Sequence, residues 1–160
     1  DITFEAGELF LSQMSAFSFG SHPVTTESKN YAAKEANVFL GVTDLRGEGT
    51  GWKVTAIASK FSSNGNESLP GAMISFLNGT ASTTDSGDLI APTVSPNIQL
   101  DCDGETSADV ATAYKDEGMG AWLIEWNGPS EDNTNVVLKV PLPKSGTHTA
   151  TINWSLTNAP

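Results

Sequence analysis

The sequence of 160 residues lacks several features on which familiar functions depend. It has one cysteine, Cys102, so it can form neither an internal disulfide nor a cysteine-based zinc site. Lysine and arginine total 8 against 19 aspartates and glutamates, which gives a formal net charge of -11. Such a surface repels phosphate backbones and anionic lipids, because these polyanions bind through Lys and Arg. We therefore expect no nucleic-acid partner.

Long apolar runs are also absent, so we expect no membrane insertion. The chain opens on DITFEAGELF, which has neither the basic nor the apolar part of a secretory signal. Either the protein is cytosolic, or a signal peptide is absent from this chain. The abundance of Thr, Ser, Asn and Gly favours export, since it is typical of wall-associated or secreted bacterial β-domains. The length and the lack of repeats or linkers predict a single domain over residues 1–160.

Runs of Val, Ile, Thr, Phe and Trp alternate with turn-forming clusters, which predicts about nine or ten short strands. The predicted strands are GELFLSQ, SAFSFGS, ANVFLGVTD, GWKVTAIASKF, AMISFLNG, SPNIQLD, MGAWLIEWN, NVVLKVPL and HTATINWSLT. At most one short helix is expected, over residues 107–118 (SADVATAYKDEG), where a loop with a short strand is the alternative. The segments SSNGNESLPG and NGTASTTDSGD read as surface loops. The pattern indicates an all-β fold, an antiparallel β-sandwich or jelly-roll-like domain.

The last strand separates apolar and polar residues onto two faces. Residues two apart on a strand point the same way, so Trp154 and Leu156 share one face. Asn153 and Ser155 lie on the other face, where they are candidates for polar contacts with a ligand.

An earlier strand repeats this arrangement, with Trp52 and Val54 on one apolar face. Truncating a buried Trp costs about 3 to 5 kcal/mol, whereas stacking an exposed aromatic on a flat ligand contributes about 1 to 3 kcal/mol. These magnitudes favour burial of Trp52 and Trp154. We also predict that the two tryptophan strands are neighbours, because a shared inward face would let both rings stabilise one core region. A Trp near a strand end can also place one edge in the core and the other at the mouth of a groove.

MGAWLIEWN aligns Trp122 and Trp126 on one face, with Ile124 between them. The pair is either a sugar-stacking platform or part of the core. Glu125 resembles a glycosidase acid but has no identifiable partner carboxylate. The sequence also lacks a nucleophile signature, so we expect no enzyme activity and no cofactor.

The segments GVTDLRGEGTGWKVTAIASKF and VVLKVPLPKSGTHTATINWSLTNAP resemble the WxL domain of Gram-positive cell-surface proteins, named for paired Trp-x-Leu motifs. The second motif is Trp154-Ser155-Leu156, and the first is Trp52-Lys53-Val54, where Val replaces the usual Leu. GELFLSQMSAFSFG and LPGAMISFLNG also resemble segments of this family, which extends the resemblance over essentially the whole chain.

The resemblance implies an exported, extracellular protein that binds the cell wall non-covalently through peptidoglycan. It also implies partner proteins with Ig-like domains, because such partners are often encoded beside family members. Two functions therefore stay open, a peptidoglycan-binding module and a protein-interaction domain, with a glycan-active enzyme as a distant third. By this resemblance, the motif residues expected to bind the wall are Trp52, Val54, Trp154 and Leu156.

Asp44-Leu45-Arg46-Gly47 is the strongest polar motif outside the tryptophan segments. Asp44 and Arg46 point the same way if the strand continues. They would then form an ion pair that orders the turn, or present an arginine fork to a peptide carboxylate.

DCDGETSAD begins like a calcium-binding loop, with Asp101, Asp103 and Asp109 as a weak set of candidate ligands. The ligand order of an EF-hand fails, because Gly104 comes too early and no Glu closes the loop. A solvated acidic loop is the favoured interpretation, and no metal site is predicted.

Overall fold

The computed structural model describes residues 1–160 and contains only β-strands, fourteen in all. It has no helix of a length and hydrophobicity that could cross a membrane. The all-β prediction is confirmed, although nine or ten strands was an underestimate. In chain order the strands are β1 Leu9–Met14, β2 Lys29–Ala33, β3 Asn37–Asp44, β4 Trp52–Ala58, β5 Phe61–Ser63, β6 Asn66–Ser68, β7 Met73–Leu77, β8 Thr80–Ser82, β9 Thr93–Val94, β10 Asn97–Asp101, β11 Ala108–Ala113, β12 Gly120–Asn127, β13 Asn133–Val140 and β14 Ile152–Thr157.

The strands form three four-stranded sheets and one hairpin, and all their pairings are antiparallel. The first sheet has the order β1-β3-β12-β8, the second β10-β7-β13-β2 and the third β14-β4-β11-β9. Strands β5 and β6 form the hairpin. The apolar faces of the three sheets meet in one cluster of 24 buried residues, whose largest side chains are Trp52, Trp126 and Phe76.

Strict alternation of apolar and polar residues sets the faces of the central strands. In β4, every second residue from Trp52 to Ala58 is buried, and the residues between are partly exposed. In β14 the same alternation gives half-buried and exposed residues, because β14 is the edge strand of its sheet. The predicted faces of both tryptophan strands are therefore confirmed.

The segment of residues 107–118 forms no helix, and the alternative prediction, a loop with a short strand, is confirmed. Ala108–Ala113 forms β11, which pairs with β4 on one side and β9 on the other. Its register with β4 shifts between Asp109 and Ala111, as in a β-bulge, so the consecutive residues Val110 and Ala111 are both buried. This bulge breaks the period of two, which is why the segment resembled a helix.

Three other segments differ from their predicted structure. NGTASTTDSGD, predicted as a surface loop, contains β8 at Thr80–Ser82. SAFSFGS lies outside the strand ladders and forms irregular backbone. SSNGNESLPG includes a hairpin turn at Asn64 and Gly65, whose φ angles of 50° and 81° suit the tight turn between β5 and β6. The Asn-Gly pair was the signal for this hairpin.

Cys102 follows β10 and is buried. Burial, together with the negative charges of Asp101 and Asp103, raises the pKa of its thiol to about 11. Because the thiolate is the reactive form, we expect the native thiol to react with an aromatic disulfide reagent at pH 8 at least about a hundredfold more slowly than the unfolded chain. Equal rates in buffer and in guanidinium chloride would contradict this burial.

Candidate functional site

The two tryptophan motifs lie on neighbouring strands, as the sequence analysis predicted. Strand β14 pairs with β4 so that Leu156 faces Val54 and Trp154 faces Ala56. Ala56 is four residues along β4 from Trp52, so the two tryptophans occupy positions about 13 Å apart along the sheet. The strands share an apolar face, but the two rings lie apart, contrary to the expectation that they stabilise one core region. The Trp52 indole bonds Gly118, whereas the Trp154 ring packs on Trp126 and Phe76.

The first motif is inaccessible to a ligand. Trp52 and Val54 are fully buried, and the Trp52 Nε1–H donates a hydrogen bond to the carbonyl oxygen of Gly118 at 3.1 Å. The implied contact of these two side chains with a ligand is therefore wrong for this structure. Because Val54 is fully buried, valine in place of leucine at this position affects core packing.

The second motif has a different environment, because Trp154 is only half-buried. Its ring stacks on Trp126 with centroids 6.3 Å apart and an interplanar angle of 20°. It also makes an edge contact with Phe76 at 6.0 Å. The rest of Trp154 lines a surface groove, so this residue belongs both to the core and to an accessible site.

This groove has a volume of about 1000 Å³ and is lined by 27 residues. One wall is residues 14–24, which we call the strap, and the opposite wall comes from residues 143–152 together with Trp154. Besides Trp154, the half-buried aromatic residues on its surface are Phe17, Phe19 and Tyr31. A concave site with aromatic walls suits a ligand that has apolar faces and polar edges, as sugars do.

The strap is held in place by aromatic and polar contacts. Phe17 makes edge contacts with Phe19 and with the core residue Phe76, both at 5.8 Å between ring centroids. The backbone N–H and the hydroxyl of Ser18 donate to the two carboxylate oxygens of Glu35, at 2.8 and 3.1 Å. These contacts fix the irregular backbone of the strap without a strand ladder.

The opposite wall is tied to β5 and β6. Thr149 exchanges two backbone hydrogen bonds with Ser62, at 2.8 and 2.9 Å. His148 Nδ1 lies 2.8 Å from the hydroxyl of Ser68, and His148 Nε2 lies 2.9 Å from the carbonyl oxygen of Lys144. Since a carbonyl only accepts, Nε2 carries the proton in this arrangement. The turn between residues 144 and 148 is thereby fixed at the groove edge.

Trp122 and Trp126 do not form an exposed platform. Trp126 is fully buried and Trp122 is 6% exposed. Trp122 donates its Nε1–H to the carbonyl oxygen of Met119 at 2.8 Å. The sugar-stacking interpretation of this pair is wrong, because both rings face inward from β12.

Asp44 and Arg46 form the ion pair that was one of the two predicted roles. Arg46 Nε and Nη2 donate to the two carboxylate oxygens of Asp44, at 2.9 and 3.0 Å. Nη2 also donates to the carbonyl oxygen of Gly51 at 2.8 Å, and Nη1 to that of Asn158 at 3.2 Å. The arginine fork is thus occupied by the protein itself, and the alternative role of presenting it to a peptide carboxylate is wrong.

The environment of this pair explains its electrostatics. Burial raises the pKa of the Asp44 carboxyl, but hydrogen bonds from the Arg46 side chain and backbone and the guanidinium charge outweigh it, so the pKa is lowered. Hydrogen bonding to Asp44 raises the pKa of Arg46. The pair joins the end of β3 to the segment that follows β14.

Asn153 and Ser155 are exposed on the face of β14 opposite Trp154 and are not among the groove residues. Leu156 is half-buried and lines a second, smaller depression beside Arg46 and Asn158. Trp154, Leu156 and the pair of Asn153 and Ser155 therefore lie on three separate surfaces.

Asp101, Asp103 and Asp109 do not form a cluster of carboxylates able to hold a metal ion, and Asp103 and Asp109 have partners within the protein. Asp103 accepts hydrogen bonds from the backbone N–H groups of Glu105 and Thr106 and from the Thr106 hydroxyl, which lower the pKa of its carboxyl to about 2. Asp109 pairs with Lys53 at 3.6 Å.

Phe17, Phe19 and Tyr31 were missed as site residues by the sequence analysis. The two phenylalanines alternate in SAFSFGS, but this spacing is equally typical of a buried strand. Nothing in the sequence pattern indicates that the strap lies opposite a segment more than 120 residues later.

An all-β domain with an aromatic-lined groove has the architecture of a binding module. A family model described as WxL domain, surface cell wall-binding, matches residues 2–160. The chain therefore belongs to the WxL family of cell wall-binding surface domains. A search of curated proteins and a search of solved structures found no significant match.

Proposed function

We propose that residues 1–160 act as a single, exported, non-catalytic module that attaches to the Gram-positive cell wall by binding peptidoglycan in the groove. The family supports attachment to the wall. We place the binding site in the groove because of Trp154. This motif residue is half-buried, and its accessible part faces the groove.

The groove provides the two kinds of contact that a peptidoglycan glycan requires. Half-buried aromatic rings offer faces and edges for the apolar faces of sugar rings. Exposed hydroxyl groups of the lining, such as those of Ser21, Thr147 and Thr149, offer partners for acetamido and hydroxyl groups. Because a single contact site of this kind is weak, many equivalent sites on one wall would supply avidity.

Co-sedimentation with purified sacculi tests this proposal. We expect saturable retention of the protein on peptidoglycan and none on cellulose. Sacculi stripped of teichoic acid should retain more protein than native sacculi, since teichoic acids are polyanions and the net charge of the chain is -11. Absence of retention on either form of sacculus would refute the proposal.

A matched pair of variants locates the site. Thr149 is exposed and lines the groove, so a Thr149→Trp side chain should fill it and weaken retention on sacculi by at least about tenfold. Thr80 in β8 is exposed outside the groove, and Thr80→Trp should bind as the parent does. Both substitutions avoid the core, unlike truncation of Trp154. Equal binding by both variants would place the ligand elsewhere.

Docking to an Ig-like surface protein is the second proposed function, and the N-terminal edge of the first sheet favours it. Strand β1 is an edge strand on which Phe10 and Met14 are 40% and 54% exposed. Ile2 and Phe4, which precede it, are 79% and 85% exposed. An apolar sheet edge can accept a strand from a partner.

A solution measurement separates this function from wall binding. A protein partner should saturate at one-to-one without any glycan, and Phe10→Lys should weaken that complex, because an edge lysine opposes strand addition. The same variant should leave retention on sacculi unchanged, since Phe10 lies outside the groove. Loss of sacculus binding by Phe10→Lys would assign the wall contact to β1 instead.

A further inference from the structure

The groove differs in charge from the rest of this acidic chain. At the average of 19 acidic residues in 160, about three of its 27 lining residues would be Asp or Glu, and none is. The lining instead includes Lys144 and both histidines of the chain, His22 and His148. A negative ligand that most of the surface repels therefore meets no carboxylate among the residues that line this groove.

Lys144 is the one lysine of the groove, and its charge is not used within the protein. The structure contains four ion pairs, which involve Lys34, Lys53, Lys60 and Arg46, and none involves Lys144. The side chain is exposed, while its backbone carbonyl is held by His148. The lysine is thus anchored at its main chain and free at its ammonium group.

The other polar groups nearby are already paired. Both ring nitrogens of His148 are within hydrogen-bond distance of Ser68 and Lys144, and His22 Nε2 bonds the carbonyl oxygen of Phe19. Glu35, which holds the strap from outside the lining, has both carboxylate oxygens bonded to Ser18. Lys144 is therefore the group of the groove that can offer a full positive charge to a ligand.

We propose that the groove recognises an anionic fragment of peptidoglycan, a saccharide whose stem peptide bears a free carboxylate, with Lys144 contacting that carboxylate and the aromatic walls contacting the sugar rings. This inference rests on the proposed function and specifies its ligand. We choose an anionic ligand on charge complementarity, because a neutral glycan would need neither Lys144 nor a groove lining without carboxylates. The uncompensated ammonium and the aromatic surfaces together match a ligand that is charged at one end only.

Binding of three soluble probes tests the inference. The first is a disaccharide-peptide released from peptidoglycan by muramidase, the second is the same compound with its carboxylates converted to methylamides, and the third is a tetramer of N-acetylglucosamine. We expect the first to bind about fivefold more tightly than the second, the difference typical of one exposed ion pair. Lys144→Gln should remove that difference, and Lys115→Gln, which alters an exposed lysine outside the groove, should preserve it.

The outcomes separate this inference from the proposed function. If all three probes bind equally and Lys144→Gln has no effect, peptidoglycan binding stands and the carboxylate contact is refuted. If no probe binds and the sacculi retain no protein, the proposed function fails as well. Tighter binding of poly(glycerol phosphate) than of the disaccharide-peptide, lost in Lys144→Gln, would overturn the choice of ligand in favour of a wall phosphate polymer.

Discussion

Replacing Gly51 with alanine is expected to lower the free energy of unfolding by about 2 to 5 kcal/mol. Gly51 immediately precedes Trp52 and has a φ of 83°, a left-handed conformation that costs other residues about 1 to 2 kcal/mol. A Cβ at this position would also overlap the carbonyl oxygen of Ala113 in the neighbouring strand β11. Because that atom is backbone, relief requires β4 and β11 to move apart, at a further cost of about 1 to 3 kcal/mol.

Gly47 is the matched control for this substitution. Its φ is 72°, but a Cβ there meets no atom within 4 Å. Gly47→Ala should therefore cost only about 1 kcal/mol, from backbone conformation alone. Urea unfolding followed by tryptophan fluorescence measures both variants. Equal losses would show that close approach of the two strands at Gly51 contributes nothing to stability.

Removal of the Asp44 carboxylate is expected to cost about 3 kcal/mol of unfolding free energy. The Asp44 side chain is 1% exposed, and its partner Arg46 is 15% exposed. Asp44→Ala would leave the guanidinium in a mostly buried position without its counter-charge, which is the costly way to break an ion pair. It would also loosen the hydrogen bonds of Arg46 to Gly51 and Asn158.

The surface pair between Lys60 and Glu67 is the control, because its side chains are 55% and 75% exposed. Glu67→Ala should change stability by less than about 1 kcal/mol. Urea midpoints of the two variants, compared at pH 7, show whether the Asp44–Arg46 pair stabilises the fold more than an exposed ion pair does. A loss in Asp44→Ala no larger than in Glu67→Ala would contradict the structural role.

The same carboxylate gives a pH dependence of known sign. Since its pKa is lowered by folding, the stability it contributes is present above its unfolded value of about 3.9 and is lost as the pH falls through the lower folded value. The stability difference between the parent and Asp44→Ala should therefore be constant from pH 7 to pH 5 and shrink below pH 4. Urea unfolding at a series of pH values tests this, and a difference that grows in acid would reverse the assignment.

The paired tryptophan strands were predictable because local alternation determines them. Trp52 and Trp154 stand in period-two patterns, and this pattern alone orients their side chains. The pairing of their two strands in the third sheet was also predicted, and the register confirms it. Strand β11 was not predictable in the same way, since its bulge replaces alternation by two adjacent buried residues.

The groove could not be read from the sequence, because its walls come from opposite ends of the chain. The strap has no strand ladder and is held by side chains such as Phe17 and by the carboxylate of Glu35. The exposed part of Trp154 depends on an edge position in a sheet, which sequence pattern does not reveal. The pairing of Asp44 with Arg46 was predictable as one of two alternatives. Only the fold shows that the Arg46 guanidinium already donates to the Asp44 carboxylate.

The proposed binding of peptidoglycan in the groove that Trp154 lines is tested by a two-dimensional ¹H–¹⁵N NMR titration of the folded protein with muramidase-digested, teichoic-acid-free peptidoglycan. We expect saturable shifts confined to the strap, to residues 143–151 and to the indole N–H of Trp154, with the buried indole of Trp52 unaffected. Shifts confined to β1 or to the depression beside Arg46, or the absence of any shift, would contradict this proposal.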